Sequence, residues 1–155
     1  ITLALEMKSP IVYGVDISED ALEIAKLNAK KLKAEVTFSV CDILNVIPDL
    51  EKLDIVVSNP PYIPIQEKEQ MHRNVLDYEP ELALFVTDED PLIFYKTISS
   101  LGKSILKPSG KIYFEINERY GSEVANLLEE LEYQSIKVIK DLNEKDRIVT
   151  AHISN

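Results

Sequence analysis

The run Leu-Asp-Ile-Val-Val-Ser-Asn at 53–59, followed at once by Pro60, Pro61 and Tyr62, constrains the fold more than any other stretch. Its β-branched body lacks the alternation of a half-solvated strand and reads as a strand buried on both faces, the habit of parallel sheets. The sequence around it supports that reading. Pro10–Asp16 is a short β-rich run that ends on an acid. Ser18 then caps a helix with Glu19 and Asp20 in its first turn, where carboxylates suit the dipole. In that helix Ala21, Ile24, Ala25 and Asn28, flanked by Leu22, Ala29 and Leu32, recur at helical spacing. Glu35–Val40 is the next strand and leads into Cys41-Asp42.

Beyond Tyr62 the order continues. Pro91 to about Lys107 reads as a helix, Pro108-Ser109-Gly110 as a turn, and Lys111–Asn117 as a strand. A helix from about Arg119 to Leu131 follows. Gln134–Asp141 and Arg147–Ser154 are strands with so short a connection that they pair antiparallel. Strands alternating with helices predict an α/β fold with a mostly parallel sheet and a C-terminal antiparallel hairpin. Arg147–Ser154 is expected beside Lys111–Asn117. The polar stretch from Gln66 to Asp90 is too short for a second domain. It reads as a loop with a little helix, draped over the sheet edge where ligands bind.

Composition narrows the class. A chain of 155 residues, 45% hydrophobic and 28% charged, suits one soluble domain spanning 1–155. No apolar run approaches a membrane span. The single cysteine, Cys41, points to a reducing, cytoplasmic setting, and with two well-separated histidines, His72 and His152, it makes no metal-ligand cluster. A net charge of −10 opposes a phosphate backbone as partner, so nucleic acid is not the expected direct substrate. Lys26, Lys30, Lys31 and Lys33 are interleaved with the apolar stripe of a helix and read as its solvated face.

Ligands of open α/β sheets sit outside the carboxyl ends of the strands, and Asp16, Asp42 and Asn59 fall there. An acid after one strand accepts hydrogen bonds from ribose hydroxyls, and Asp42 is placed to accept from an adenine amino group. Each has a structural alternative: Asp16 begins the turn that Ser18 completes, and Asp42 caps Ile43–Val46. Asn59 carries more information. Pro60 and Pro61 fix their own φ and push the residues before them out of helix, making a rigid, extended lip. With no proline N–H, the lip offers carbonyl acceptors. The Asn59 side-chain oxygen adds one more, enough to hold both hydrogens of a planar –NH2 group. Tyr62 supplies a ring for the flat face of its carrier. The alternative is a proline-rich turn with Tyr62 as packing. Fixed acceptors orient a poorly nucleophilic amide or exocyclic amine and stabilise the positive charge that develops as it attacks. That chemistry suits methyl transfer from a sulfonium donor.

Asn59-Pro60-Pro61-Tyr62 resembles the signature of S-adenosylmethionine-dependent methyltransferases acting on planar amino nitrogens. Together with Tyr78–Leu84, Asp90–Tyr95, Tyr113–Asn117 and Asp141–Val149, it is similar to the release factor glutamine N5-methyltransferase family, HemK. The resemblance implies a Rossmann-like class I methyltransferase sheet. Its cofactor would be S-adenosyl-L-methionine and its substrate the glutamine of the Gly-Gly-Gln loop of peptide chain release factors. Asn59, Pro60 and Tyr62 would be catalytic, and Asn59, Pro60, Pro61 and Tyr62 would hold the substrate amide. Asp16, Ile17, Asp42, Ile43 and Asn59 would hold the cofactor.

This sequence departs from the family pattern twice. Phe85–Leu92 lacks the glycines of a Gly-Gly-x-Asp-Gly-Leu run, and the glycine-rich cofactor loop after the family's first strand is absent. Ile1–Met7 reads as the remainder of the first helix, so the chain is expected to be an N-terminally truncated catalytic domain. By the same resemblance the first strand would separate Pro10–Asp16 from Leu53–Asn59, so these two are not expected to pair. The chain alone is expected to bind the cofactor at least about tenfold more weakly than a polypeptide carrying that loop. The other readings are a ribosomal-protein glutamine methyltransferase, a nucleic-acid adenine N6-methyltransferase, and a degenerate Rossmann-like module retained for binding.

Overall fold

The structure is a computed structural model that describes residues 1–71 and 73–154; His72 and Asn155 lie outside them. The chain forms two compact units, 1–48 and 49–155.

The first unit holds α1 (Thr2–Glu6), β1 (Tyr13–Asp16), α2 (Glu19–Leu32) and β2 (Thr37–Val40). β1 and β2 pair in parallel, with Gly14 opposite Phe38. A Cβ on Gly14 would stand 2.8 Å from the Phe38 ring, so glycine is what lets that ring lie across the strand. The Ser18 hydroxyl accepts the Ala21 N–H at 3.2 Å, the cap that the sequence predicts. At the other end Lys33, at φ 57°, donates its N–H to the Ala29 and Lys30 carbonyls. The buried stripe of α2 differs from the one expected. Leu22 and Ala29 are buried, while Ile24 is 60% exposed. Leu22, Ala25 and Ala29 share one helix face, and Ile24 is rotated off it. Lys26, Lys30, Lys31 and Lys33 are all exposed.

In the second unit β3 (Leu53–Ser58) leads through the lip to β4 (Ile63–Pro64). A 3₁₀ turn (Ile65–Gln70), α3 (Arg73–Leu76), α4 (Glu81–Leu84) and β5 (Phe85–Val86) follow. The expected loop over 66–90 is thus largely built of short elements. The chain closes with α5 (Ile93–Ile105), β6 (Leu106–Glu115), α6 (Gly121–Glu130), β7 (Tyr133–Lys140) and β8 (Asp146–Ile153). A four-stranded sheet runs in the order β3-β6-β8-β7. β3 and β6 are parallel, and β8 is antiparallel to both of its neighbours, inserted beside β6 as expected.

Two details correct the sequence reading. Pro108-Ser109-Gly110 does not precede a strand but bulges inside one: the register jumps from Leu53↔Leu106 to Ile55↔Lys111. Ser109 takes φ 60°, and a Cβ on Gly110 would meet the Lys107 carbonyl at 2.8 Å, so the bulge needs its glycine. β3 is an edge strand of its sheet and is not buried on both faces, with Val57 59% exposed. Apolar composition therefore overstated its burial.

The core of this unit lies between its four-stranded sheet and its two long helices. Ile112, Phe114 and Ile116 alternate inward, against Tyr95, Ile98 and Leu101 of α5 and Val124 and Leu128 of α6. The Tyr95 ring meets Phe114 edge to face at 5.2 Å. The Tyr133 hydroxyl donates to the Ser99 carbonyl at 2.8 Å, and burial pushes its phenol up to about 12. No helix of the described residues is long and apolar enough to cross a membrane.

Candidate active site at the Asn-Pro-Pro-Tyr lip

Two carboxylates mark the carboxyl end of the β1–β2 sheet. Asp16 closes β1 opposite Val40, and its carbonyl accepts the Cys41 N–H at 2.9 Å, so Asp42 follows at the same end. Both turn roles foreseen as alternatives are realised. Asp16 Oδ1 accepts the Ser18 N–H at 2.8 Å. Asp42 Oδ1 accepts the Leu44 N–H at 3.0 Å and Oδ2 the Asn45 amide at 2.7 Å. A carboxylate oxygen has room for more than one donor, so a turn role does not preclude a ligand role. Among the described residues Asp16 Oδ2 accepts nothing. Ile17 is 45% exposed and Ile43 half-buried, leaving an apolar surface next to each acid. Cys41 is buried, and burial together with the Asp42 charge pushes its thiol up, away from nucleophilic use.

In the second unit Asn59, Pro60, Pro61, Tyr62 and Ile63, joined by Ala83 and Leu84 of α4, line a cavity of about 90 Å³. All four lip residues singled out in the sequence are there, and Pro60 anchors the lip by being buried while Asn59 stays exposed. Two features hold the segment that follows the lip. β4 pairs in parallel with β5, Ile63 to Phe85 and Pro64 to Val86. Ion pairs tie the intervening segment down, Lys68 to Glu81, and Glu67 to Arg119 at 2.7 Å. Of the glycine-free Phe85–Leu92 stretch, Phe85 and Val86 are the paired residues. The lining carries no ionisable group except the Tyr62 phenol, so it suits an uncharged polar guest with hydrogens to donate.

Behind the lip lies a polar group that sequence reading saw only in part. The Tyr62 hydroxyl points to Glu115 Oε1 at 3.5 Å, the long limit of a hydrogen bond. Glu115, on β6, is only partly exposed. Its backbone carbonyl accepts the Tyr95 hydroxyl at 3.0 Å. Burial, then the Glu115 charge, pushes the Tyr62 phenol up, and Arg147 opposes this. Tyr62 therefore stays neutral at ordinary pH. Arg147 was missed as a site residue. Its Nε and Nη2 both reach Asp141 Oδ2, at 3.3 and 3.2 Å. Asp141 Oδ1 in turn accepts the Asn143 and Lys145 N–H groups at 2.8 and 3.1 Å. Those backbone bonds, aided by Arg147, hold the Asp141 carboxyl below its usual range. Burial alone would lower Arg147, but the Asp141 bond and charge outweigh it and raise it. A lone cation in the apolar run of β8 was the available signal.

A profile described as a methyltransferase domain matches residues 1–151. A release factor glutamine methyltransferase of Bacteroides thetaiotaomicron is 51% identical over 98% of this chain and 55% of its own length. One of Flavobacterium psychrophilum is 40% identical over 96% of the chain and 52% of its own. The chain thus spans about half the length of the curated relatives it matches. In fold it is similar to a methyltransferase from Pyrococcus furiosus, at a TM-score of 0.71 and 16% identity, covering 99% of this chain and 68% of that one. With the match of the domain profile running over nearly all of its length, the chain belongs to the methyltransferase domain family.

Proposed function

We propose that residues 1–155 are one catalytic domain of an S-adenosyl-L-methionine-dependent enzyme. Its substrate is the side-chain amide nitrogen of the glutamine in the Gly-Gly-Gln loop of peptide chain release factors. The observation that carries this reading is the cavity walled by Asn59, Pro60, Pro61 and Tyr62, a neutral pocket rich in acceptors. The names of relatives at 51% and 40% identity support the same substrate.

The cofactor supplies an electrophilic methyl on a sulfonium. Asp16 and Asp42, with free lone pairs at a sheet's carboxyl end, fit the hydroxyl and amino donors of an adenosine, and Ile17 and Ile43 fit its apolar faces. The Asn59 side-chain oxygen and the Pro60 carbonyl accept the two amide hydrogens, and Tyr62 covers the amide plane. As nitrogen attacks, its lone pair leaves conjugation and positive charge grows on the N–H groups. The two acceptors then bind more tightly than in the ground state, which is the useful kind of binding. The cofactor, held by these residues, would supply the methyl group, and the proton of the alkylated nitrogen would pass to water.

With no helix among the described residues able to span a membrane, and a lone buried cysteine, the cytoplasm is the compartment proposed. The test is methyl transfer from labelled cofactor by the polypeptide that carries this chain. Release factor, ribosomal protein and adenine oligonucleotides are offered in parallel. Label on the release factor glutamine is the expected result. Label on a ribosomal protein or on adenine instead would replace the substrate named here.

A further inference from the structure

Pro60 and Pro61 fix the backbone that leads into Tyr62, but a stiff backbone does not fix the side chain that follows it. The Tyr62 ring lines the lip cavity and the residue is half-buried. Its hydroxyl donates to Glu115 Oε1 at 3.5 Å, a long bond between the lip and the central strand β6. Glu115 stands between Phe114 and Ile116, both fully buried, so strand alternation sets its side chain on the opposite face of the sheet. A partly buried carboxylate in such an apolar run needs a donor, and among the described residues the Tyr62 hydroxyl is the donor that reaches it. The backbone that carries this carboxylate is held from two sides. Glu115 pairs with Ile148 of β8, and its carbonyl accepts the hydroxyl of the fully buried Tyr95 at 3.0 Å.

We propose that Glu115 is a positioning residue: its carboxylate, carried by a strand anchored to the core, accepts the Tyr62 hydroxyl and so holds the ring against the lip cavity. This role rests on the reading of the lip as the amide site. With its hydroxyl tethered, the ring covers the amide plane. A ring free to rotate leaves that plane uncovered, and a small misplacement at a reacting centre lowers turnover on the order of ten- to a hundredfold.

A double-mutant cycle in the polypeptide that carries this chain tests it, with turnover of release factor and cofactor KM measured side by side. Glu115→Ala and Tyr62→Phe should each lower turnover about tenfold with cofactor KM little changed. Glu115→Gln, which keeps an acceptor oxygen, should recover most of the loss. In the Tyr62→Phe background Glu115→Ala should cost almost nothing more, because the hydroxyl through which Glu115 acts is already gone. A further tenfold loss in that background would overturn the proposal, since Glu115 would then act on the strand and not through Tyr62. Loss of less than about threefold for either single variant would overturn it too. If Glu115→Ala does not fold, Glu115→Thr, shorter but suited to a strand, carries the same cycle. If the two sites couple as expected while Asn59→Ala retains full turnover, the positioning stands and the amide reading of the lip fails. If they are additive while Asn59→Ala is crippled, the amide reading stands and the positioning role fails.

Discussion

Tyr133→Phe should change the sign of its effect with pH. The hydroxyl donates to the Ser99 carbonyl at 2.8 Å, and the side chain is only 4% exposed. Removing it deletes a bond contributing about 1 kcal/mol net and leaves a carbonyl one partner short, so the variant should lose about 1–2 kcal/mol at about pH 8. The Lys103 ammonium, 5.4 Å from the ring centre, keeps its aromatic partner in the variant.

Alkali reverses the balance. Burial raises the folded-state phenol from 10.0 to about 12. A raised pKa gives stability that is complete below the unfolded value and is lost as pH rises through the folded one. Two units correspond to about 2.7 kcal/mol, lost by the wild type between about pH 10 and 12 and not by the Phe variant. The two stability curves should cross near about pH 11, above which Phe is the more stable. Urea unfolding followed by far-ultraviolet circular dichroism, at matched pH values, reads both arms. A difference that stays constant from about pH 8 to 11 would refute the reasoning.

Gly102→Ala places a Cβ 2.3 Å from the Tyr133 hydroxyl, so crowding of about 1–3 kcal/mol should outweigh the roughly 1 kcal/mol gain in helix propensity. In the Tyr133→Phe background the same change should become stabilising, a coupling that a double-mutant cycle measures. Ser99→Ala should leave urea stability unchanged or raise it by about 1 kcal/mol, because the buried Ser99 hydroxyl has no hydrogen-bond partner among the described residues. Asp16→Ala should raise the cofactor Kd by calorimetry with the amide site intact; equal affinity would make Asp16 the turn residue that its bond to Ser18 already makes it.

Local signals carried much of this molecule. The short connection between β7 and β8 announced their antiparallel pairing, and Ser18 announced a helix cap. What stayed hidden was decided by distant partners. Tyr62 and Glu115 are 53 residues apart, and nothing near either names the other. Asp141 and Arg147 are close in sequence, but only the β6–β8 register sets Ile148 opposite Glu115 and brings the Ile116 N–H to the Arg147 carbonyl. Ile24 matched helical spacing and still faces solvent, because a wide apolar stripe does not say which of its columns is covered. The bulge at 107–110 follows from β-ladder register, which is a property of two strands and invisible in one.

Asn59→Ala tests the central claim most directly. In the polypeptide that carries this chain, turnover of release factor and affinity for the cofactor are measured side by side, in wild type and variant. If the Asn59 oxygen grips the attacking amide, turnover falls on the order of a hundredfold or more while cofactor Kd changes little, as for loss of a group that acts mainly in the transition state. A change in turnover of less than about threefold would remove Asn59 from the mechanism, and with it the chemical reading of the lip.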